Sequence, residues 1–73
     1  MSMKTIRFNS QITLGQFLKH EGIIGSGGEA KIFLREMPVL LNNEPENRRG
    51  KKLFHGDVLD LGEHGLYKIE YDA

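Results

Sequence analysis

Cationic side chains are concentrated in one short stretch of a chain whose formal charge is zero. The stretch NRRGKK, residues 47–52, carries Arg48, Arg49, Lys51 and Lys52, while ten Lys and Arg balance ten Asp and Glu in the whole chain. Arginine forks and lysine ammonium groups suit phosphate oxygens, so the stretch is typical of a contact with a polyanion. The alternative is a solvated hairpin turn whose charges keep the edge of a small sheet from aggregating.

Further cations fall on predicted helices. Lys31 and Arg35 are four residues apart and share one helix face, and Lys19 lies on the outer side of the preceding helix. With residues 47–52 they could form one electropositive surface whose affinity for phosphates falls steeply with salt. Ser26, or a glycine amide beside it at the start of the second helix, could add a single backbone phosphate contact.

Other chemistries have little support in the sequence. The three histidines have no ligand-like spacing and the chain has no cysteine, so we expect no metal and no cofactor. The segment GSGGEAK, residues 25–31, lacks the complete nucleotide-binding fingerprints. A domain this small has little interior in which to shift a catalytic pKa, so we expect that the protein is not an enzyme.

The length bounds the organisation of the chain. Seventy-three residues are enough for one compact domain, and we assign residues 1–73 to it. The absence of cysteine fits a reducing compartment, and no segment has the length and apolarity of a signal peptide or a membrane span. We therefore expect a soluble, cytoplasmic protein.

Hydrophobic periodicity predicts an α+β fold in which two helices pack on a small antiparallel sheet. The predicted strands cover residues 5–8, 39–41, 58–61 and 66–71, with turns at residues 42–45, 55–57 and 62–65. One helix runs from Thr13 to about Gly22, and the other runs from Ser26 to about Glu36, before Pro38. Gln16 follows Thr13, and Glu29 follows Ser26, at the spacing of a capping box.

The order of these signals is similar to that of a known family. ITLGQFLKHEGII, GSGGEAKIFL, VLLNNEP and NRRGKKLFHGDVLDL together resemble the S4 RNA-binding domain, and most nearly the short stand-alone bacterial S4-like proteins of the YaaA type. The resemblance spans residues 12–61. It implies an alpha-L motif, in which two helices on a small antiparallel sheet bind structured RNA through the helical face and an adjoining loop.

The resemblance also implies roles for single residues. Lys31 matches a position that would touch phosphate, and Ala30 one that would only pack, whereas Glu29 and Asp57 match positions that hold structure. Ser26 and Asn42 also match the family pattern, and we expect both to bind RNA. Gly27 stands where the family commonly has arginine, and Asn43 stands where it commonly has glycine. Because the first departure removes one expected phosphate contact, we expect the contacts with RNA phosphates to come mainly from residues 48–52.

Taken together, these features lead us to expect a monomeric RNA-binding protein that recognises ribosomal or transfer RNA, with the ribosomal subunit as a candidate partner and ribosome assembly as its process. The alternative is a protein-interaction module in a ribosome-assembly complex or in a DNA replication or repair complex. The expected RNA-binding residues are Lys19, Ser26, Lys31, Arg35, Asn42, Arg48, Arg49, Lys51 and Lys52.

Overall fold

A computed structural model describes residues 2–37 and 39–72. The elements follow in the order β1 (Met3–Phe8), α1 (Leu14–His20), α2 (Gly27–Glu36), β2 (Val39–Leu41), β3 (Glu44–Glu46), β4 (Val58–Asp60), a 3-10 helix (Gly62–His64) and β5 (Leu66–Tyr71). The predicted α+β class is confirmed. Pro38, which was expected to stop the second helix, lies outside the described residues, and the helix ends at Glu36.

The strands of the described part form a single sheet in the order β1-β5-β4-β2-β3. All neighbouring pairs are antiparallel except β1 and β5, which run parallel. The expectation of a purely antiparallel sheet is therefore wrong at this edge. The two strands lie near opposite ends of the chain, so no hairpin fixes their relative direction. In the observed strand order, β1 and β3 form opposite edges of the sheet.

The start of α1 is held by the predicted capping box. The Gln16 amide donates to the Thr13 hydroxyl at 3.3 Å, and the Thr13 amide donates to the Gln16 side chain at 2.8 Å. Beyond the helix, Gly22 adopts a φ of 73°, a left-handed conformation that glycine accepts without strain. Both predicted ends of this helix are confirmed.

The start of α2 differs in its chemistry from the prediction. Ser26 occupies the N-cap position, but its side chain makes no capping hydrogen bond. The Glu29 carboxylate instead accepts from the amide of Gly25 at 3.2 Å, one residue before the cap. The predicted capping box at Ser26 is therefore wrong, although the predicted start of the helix is right.

Both helices pack on one face of the sheet. The ring of Phe17 in α1 meets Tyr67 of β5 edge-on, with the ring centroids 5.3 Å apart. Alternation along β5 buries Tyr67 and Ile69 and turns Lys68 and Glu70 to the outer face. The buried apolar residues are Leu14, Phe17, Leu18, Ile24, Ala30, Leu34, Val39, Leu41, Leu53, Leu59, Leu61, Tyr67 and Ile69.

Candidate nucleic-acid interface

A tight hairpin directs the chain into the basic stretch. Asn42 and Asn43 have φ values of 53° and 69°, as required by a two-residue turn between β2 and β3. Residues 42–45 were predicted as a turn only, but β3 begins at Glu44, so the turn is shorter than expected. Pro45 is tolerated there because β3 is an edge strand.

Residues 47–52, which we call the basic loop, are anchored on the start of α1. The Leu14 amide donates to the Lys51 carbonyl at 2.8 Å, and the Gly15 amide donates to the Arg49 carbonyl at 2.9 Å. These are the first two amides of the helix, which no carbonyl within the helix can satisfy. The backbone of the loop is therefore held in place by hydrogen bonds.

The loop also contacts α2. The Arg49 guanidinium donates to the Gly27 carbonyl at 3.2 Å. A Cβ atom on Gly15 would lie 3.2 Å from the Arg49 carbonyl oxygen and 3.7 Å from Ala30 Cβ, so α1, α2 and the loop meet at this glycine. Gly50, in the middle of the loop, has open space where a Cβ atom would lie.

The basic loop then runs along α2. Gly27 and Arg49 line a cleft at the start of that helix, and Arg35 and Asn47 line a second cleft near its end. Lys31 is one helical turn from both Gly27 and Arg35, so it lies between the two clefts. The structure thus places Lys31, Arg35 and Arg49 along one side of the molecule.

Lys19 borders the same side. It follows Gly15 by one helical turn on α1, and Gly15 faces both the Arg49 carbonyl and Ala30 of α2. Its side chain is exposed. The three segments that carry these cations therefore pack against one another, and the prediction that the cations form one surface stays a prediction.

These cations differ in whether an acid neutralises them. Within residues 2–37 and 39–72, no carboxylate forms an ion pair with Lys19, Lys31, Arg35, Arg49, Lys51 or Lys52. On the outer face of the sheet, by contrast, Arg7 pairs with Glu70 at 3.0 Å and Lys68 approaches Glu70 at 3.9 Å. The cations of α1, α2 and most of the basic loop therefore lack the ion pairs that Arg7 and Lys68 make on the outer face of the sheet.

Arg48 is the exception within the loop. Its guanidinium donates two hydrogen bonds to the Glu46 carboxylate, at 2.9 and 3.1 Å, and its backbone amide donates a third at 3.1 Å. The side-chain hydrogen bonds lower the pKa of Glu46 below its ordinary value, and the same pair raises the pKa of Arg48. Arg48 is thus neutralised by its own neighbour, unlike the open cation that the sequence suggested.

Asn42 uses its side chain inside the protein. Its amide nitrogen donates to the Asp57 carboxylate at 3.0 Å, and its carbonyl oxygen accepts from the Val58 amide at 2.9 Å. The other carboxylate oxygen of Asp57 accepts from the Phe54 amide at 2.7 Å. Asn42 therefore ties the hairpin to β4, and Asp57 has the structural role expected of it.

The remaining expected site residues lie at the margins of this side. Ser26 is exposed at the start of α2, beside the Gly27 carbonyl that receives Arg49. Lys52 is exposed and pairs in a β-bridge with Thr13. Lys51 lines a separate cleft together with Arg48 and Phe54. Arg49 and Lys51 therefore line two different clefts, one at the start of α2 and the other beside Phe54.

Phe54, which the sequence analysis did not predict as a site residue, follows the end of the basic loop by two residues. Its side chain is 54% exposed. Among the described residues, no group of three or more His, Cys, Asp or Glu side chains is placed to hold a metal ion. No helix in the same part of the chain is long and apolar enough to cross a membrane.

Comparisons with known proteins agree with the resemblance read from the sequence. A family model described as "S4 domain" matches residues 5–70. A protein of Bacillus subtilis (strain 168) described as "Probable ribosome maturation protein RlbA" is 55% identical over 58 residues, which cover 80% of this chain and 82% of that protein. The family match extends the resemblance beyond residues 12–61, to the strands β1 and β5.

Proposed function

The chain belongs to the S4 domain family, and from this premise we propose that it is a non-catalytic RNA-binding protein that acts in ribosome maturation. The observation that carries the proposal is the alignment of Lys31 and Arg35 on α2 with Arg49 on the basic loop. All three are exposed and none is ion-paired within the described residues. The name of the Bacillus relative supports the choice of process.

Phosphate position would be the main feature that this surface recognises. The backbone of the basic loop is hydrogen-bonded to α1 and the Arg49 guanidinium to α2, so the positions from which the loop presents its cations are set before any ligand binds. A rigid set of phosphate contacts reads the shape of a folded RNA and gives little information on base identity. We therefore propose structured RNA, ribosomal RNA or transfer RNA, as the ligand.

The zero net charge supports a specific binder over a general one. A general nucleic-acid binder is usually basic throughout, whereas here the cations on the outer face of the sheet are paired with Glu70 and Asp72. Attraction for RNA would then be confined to the side that carries α2 and the basic loop. We therefore propose a monomer that binds RNA through this one surface and works in the cytoplasm, where ribosomes mature.

Crosslinking in cells, followed by sequencing of the attached RNA, tests the proposal directly. The protein should recover ribosomal RNA, with crosslinks clustered in one or a few folded regions. The variant Lys31→Gln/Arg35→Gln should lose most of these crosslinks, because it removes two exposed cations that make no ion pair in the described structure.

Sedimentation of cell extracts with ribosomal particles separates this proposal from the protein-interaction alternative. RNA binding predicts that the protein travels with subunits or their precursors at low salt and is released as salt rises. Co-sedimentation that is insensitive to salt and unchanged in the variant would contradict the proposal and favour a protein partner.

A further inference from the structure

The strand β1 is an open edge of the sheet. Among the described strands only β5 pairs with it, and it lies at the edge opposite β3, the strand that leads into the basic loop. An unpaired edge presents a row of amide and carbonyl groups on which another extended chain can add as a further strand. The length of β1, the direction of its free backbone groups and the charges on its two faces indicate which chain would fit.

The two edges of the sheet differ in how well they resist such an addition. The strand β3 has three residues, Glu44–Glu46, with Pro45 at its centre and a carboxylate on each side, and these features hinder pairing. The strand β1 has six residues, Met3–Phe8, without a proline, and two of them, Thr5 and Ile6, are branched at Cβ. The edge that can accept a further strand is therefore β1.

The pairing with β5 shows which backbone groups of β1 are free. The Phe8 carbonyl accepts from the Asp72 amide at 2.9 Å, so the backbone groups of Phe8 point toward β5. The backbone groups of successive residues in a strand point to opposite edges. Those of Thr5 and Arg7 therefore point away from β5, and no other described strand pairs with them. A partner strand would hydrogen-bond to these two residues.

The side chains of β1 differ between its two faces. On the outer face, Arg7 is paired with Glu70 at 3.0 Å and approaches Asp72 at 3.7 Å, so its charge is already neutralised. On the face that carries the helices, Ile6 and Phe8 pack against the core but are only partly buried. They leave an apolar rim along the open edge, and the apolar side chains of a partner strand would cover it.

Lys4 completes the row of side chains on the helix side of β1. It alternates with Ile6 and Phe8, it is exposed, and no carboxylate within residues 2–37 and 39–72 forms an ion pair with it. In an antiparallel pairing with a second copy of the chain, Lys4 would lie opposite Lys4, Ile6 or Phe8 of that copy. None of these can neutralise the ammonium group, whereas an acidic residue on a different strand can. Lys4 therefore opposes self-association and favours an acidic partner.

We propose that the β1 edge binds an extended segment of a partner protein, which carries two apolar residues and one acidic residue alternating along the face beside the helices. The apolar residues cover Ile6 and Phe8, and the acidic residue pairs with Lys4. RNA has no row of amides and carbonyls that could pair with a strand edge, so this surface is separate from the proposed RNA-binding side. The inference adds a protein contact to the proposed function and does not depend on it.

Two capped peptides test the inference by NMR with isotope-labelled protein. Val-Thr-Val-Thr-Glu places its acid beside Lys4 if it adds antiparallel to β1, and Glu-Thr-Val-Thr-Val does so if it adds parallel. One of the two should shift the amide resonances of Thr5 and Arg7 and slow the hydrogen exchange of these amides. The same peptide with lysine in place of glutamate should bind about fivefold more weakly, because a like charge would then lie opposite Lys4.

Variants of β1 are the controls. Thr5→Pro removes an amide that points away from β5 and should lose peptide binding, whereas Thr5→Val keeps the amide and should bind like wild type. Lys4→Glu should reverse the preference, so that the lysine peptide binds more tightly than the glutamate peptide, and this variant decides the question if Thr5→Pro does not fold. Failure of both glutamate peptides to perturb β1, or an unchanged preference in Lys4→Glu, would overturn the inference. Neither result bears on RNA binding, so the proposed function is tested separately.

Discussion

The guanidinium of Arg48 is engaged by the carboxylate of Glu46, two residues earlier in the chain. A count of positive residues treats Arg48 and Arg49 alike, whereas their surroundings differ: Arg49 reaches across to the Gly27 carbonyl and has no acidic partner in the described structure. The sequence contained the signal, since Glu46 and Arg48 are separated by one residue at the end of an edge strand.

Replacing Glu46 by glutamine should release Arg48 and tighten RNA binding. One additional phosphate contact should steepen the slope of log affinity against log salt by about 0.7 to 0.9. The measurement is a titration of deproteinised ribosomal RNA at several salt concentrations. Glu44→Gln is the matched control, because it removes the same charge from the same strand without releasing an arginine.

Equal slopes for Glu46→Gln and Glu44→Gln would contradict this interpretation of the pair.

The effect of Glu46→Gln on the stability of the fold should also depend on pH. The folded-state pKa of Glu46 is lowered by Arg48, so the pair stabilises the fold above the ordinary glutamate pKa of about 4.3, and the contribution is lost as pH falls through the lowered value. At neutral pH the difference in unfolding free energy between wild type and Glu46→Gln should be small, because the Arg48 guanidinium is exposed. This difference should shrink further in acid.

Asn42 marks the limit of residue-level prediction. Asn42 was among the expected RNA-binding residues, but its side chain bonds to Asp57 and Val58, about fifteen residues away. Such a contact depends on how β2 and β4 pair, and that pairing is a property of the whole sheet. Asp57 has the structural role expected of it, and part of that role is local: its carboxylate and its amide close a four-residue turn with Phe54.

At the scale of elements, periodicity was sufficient for both helices and for four of the five described strands. The strand it missed, β3, reads Glu44-Pro45-Glu46, a composition typical of a turn, and it pairs only because the two-residue turn before it brings it beside β2. The parallel pairing of β1 with β5 also has no local signal, since the partners are more than sixty residues apart.

Docking of the basic loop on α1 and α2 should depend on Gly15. A methyl group there would lie 3.2 Å from the Arg49 carbonyl oxygen, which is shorter than an ordinary van der Waals contact, whereas a methyl group on Gly27 would meet open space. Both substitutions to alanine raise helix propensity by a similar amount. The difference between the two variants in the free energy of unfolding therefore measures the steric cost of the methyl group at Gly15. Gly15→Ala should be less stable than Gly27→Ala by about 1 kcal/mol or more.

Thermal unfolding measures this difference. For a domain of this size, 1 kcal/mol corresponds to about 4–8 °C in Tm. Gly15→Ala should also weaken RNA binding, because the displaced loop carries Arg49 with it. Identical Tm and affinity for the two variants would show that the loop is not held against α1 as the structure has it.

On the scale of the whole molecule, charges are separated by side although they sum to zero. Acidic residues on the outer face of the sheet pair with Arg7 and Lys68, while the cations of α1, α2 and the basic loop, Arg48 excepted, have no such partners in the described residues. The sequence showed that the cations between residues 19 and 52 outnumber the acids there. Only the fold shows that Arg35, Lys31 and Arg49 lie along one side.

The most direct test compares two double variants that lose the same charge from opposite sides. Lys31→Gln/Arg49→Gln and Arg7→Gln/Lys68→Gln each remove one lysine and one arginine, and the salt dependence of binding to deproteinised ribosomal RNA is measured for both after their folding has been checked. The first variant should reduce the slope of log affinity against log salt by about 1.5, the value for two phosphate contacts, while the second should leave it unchanged. An equal reduction in both variants, or none in the first, would contradict a single RNA-binding side.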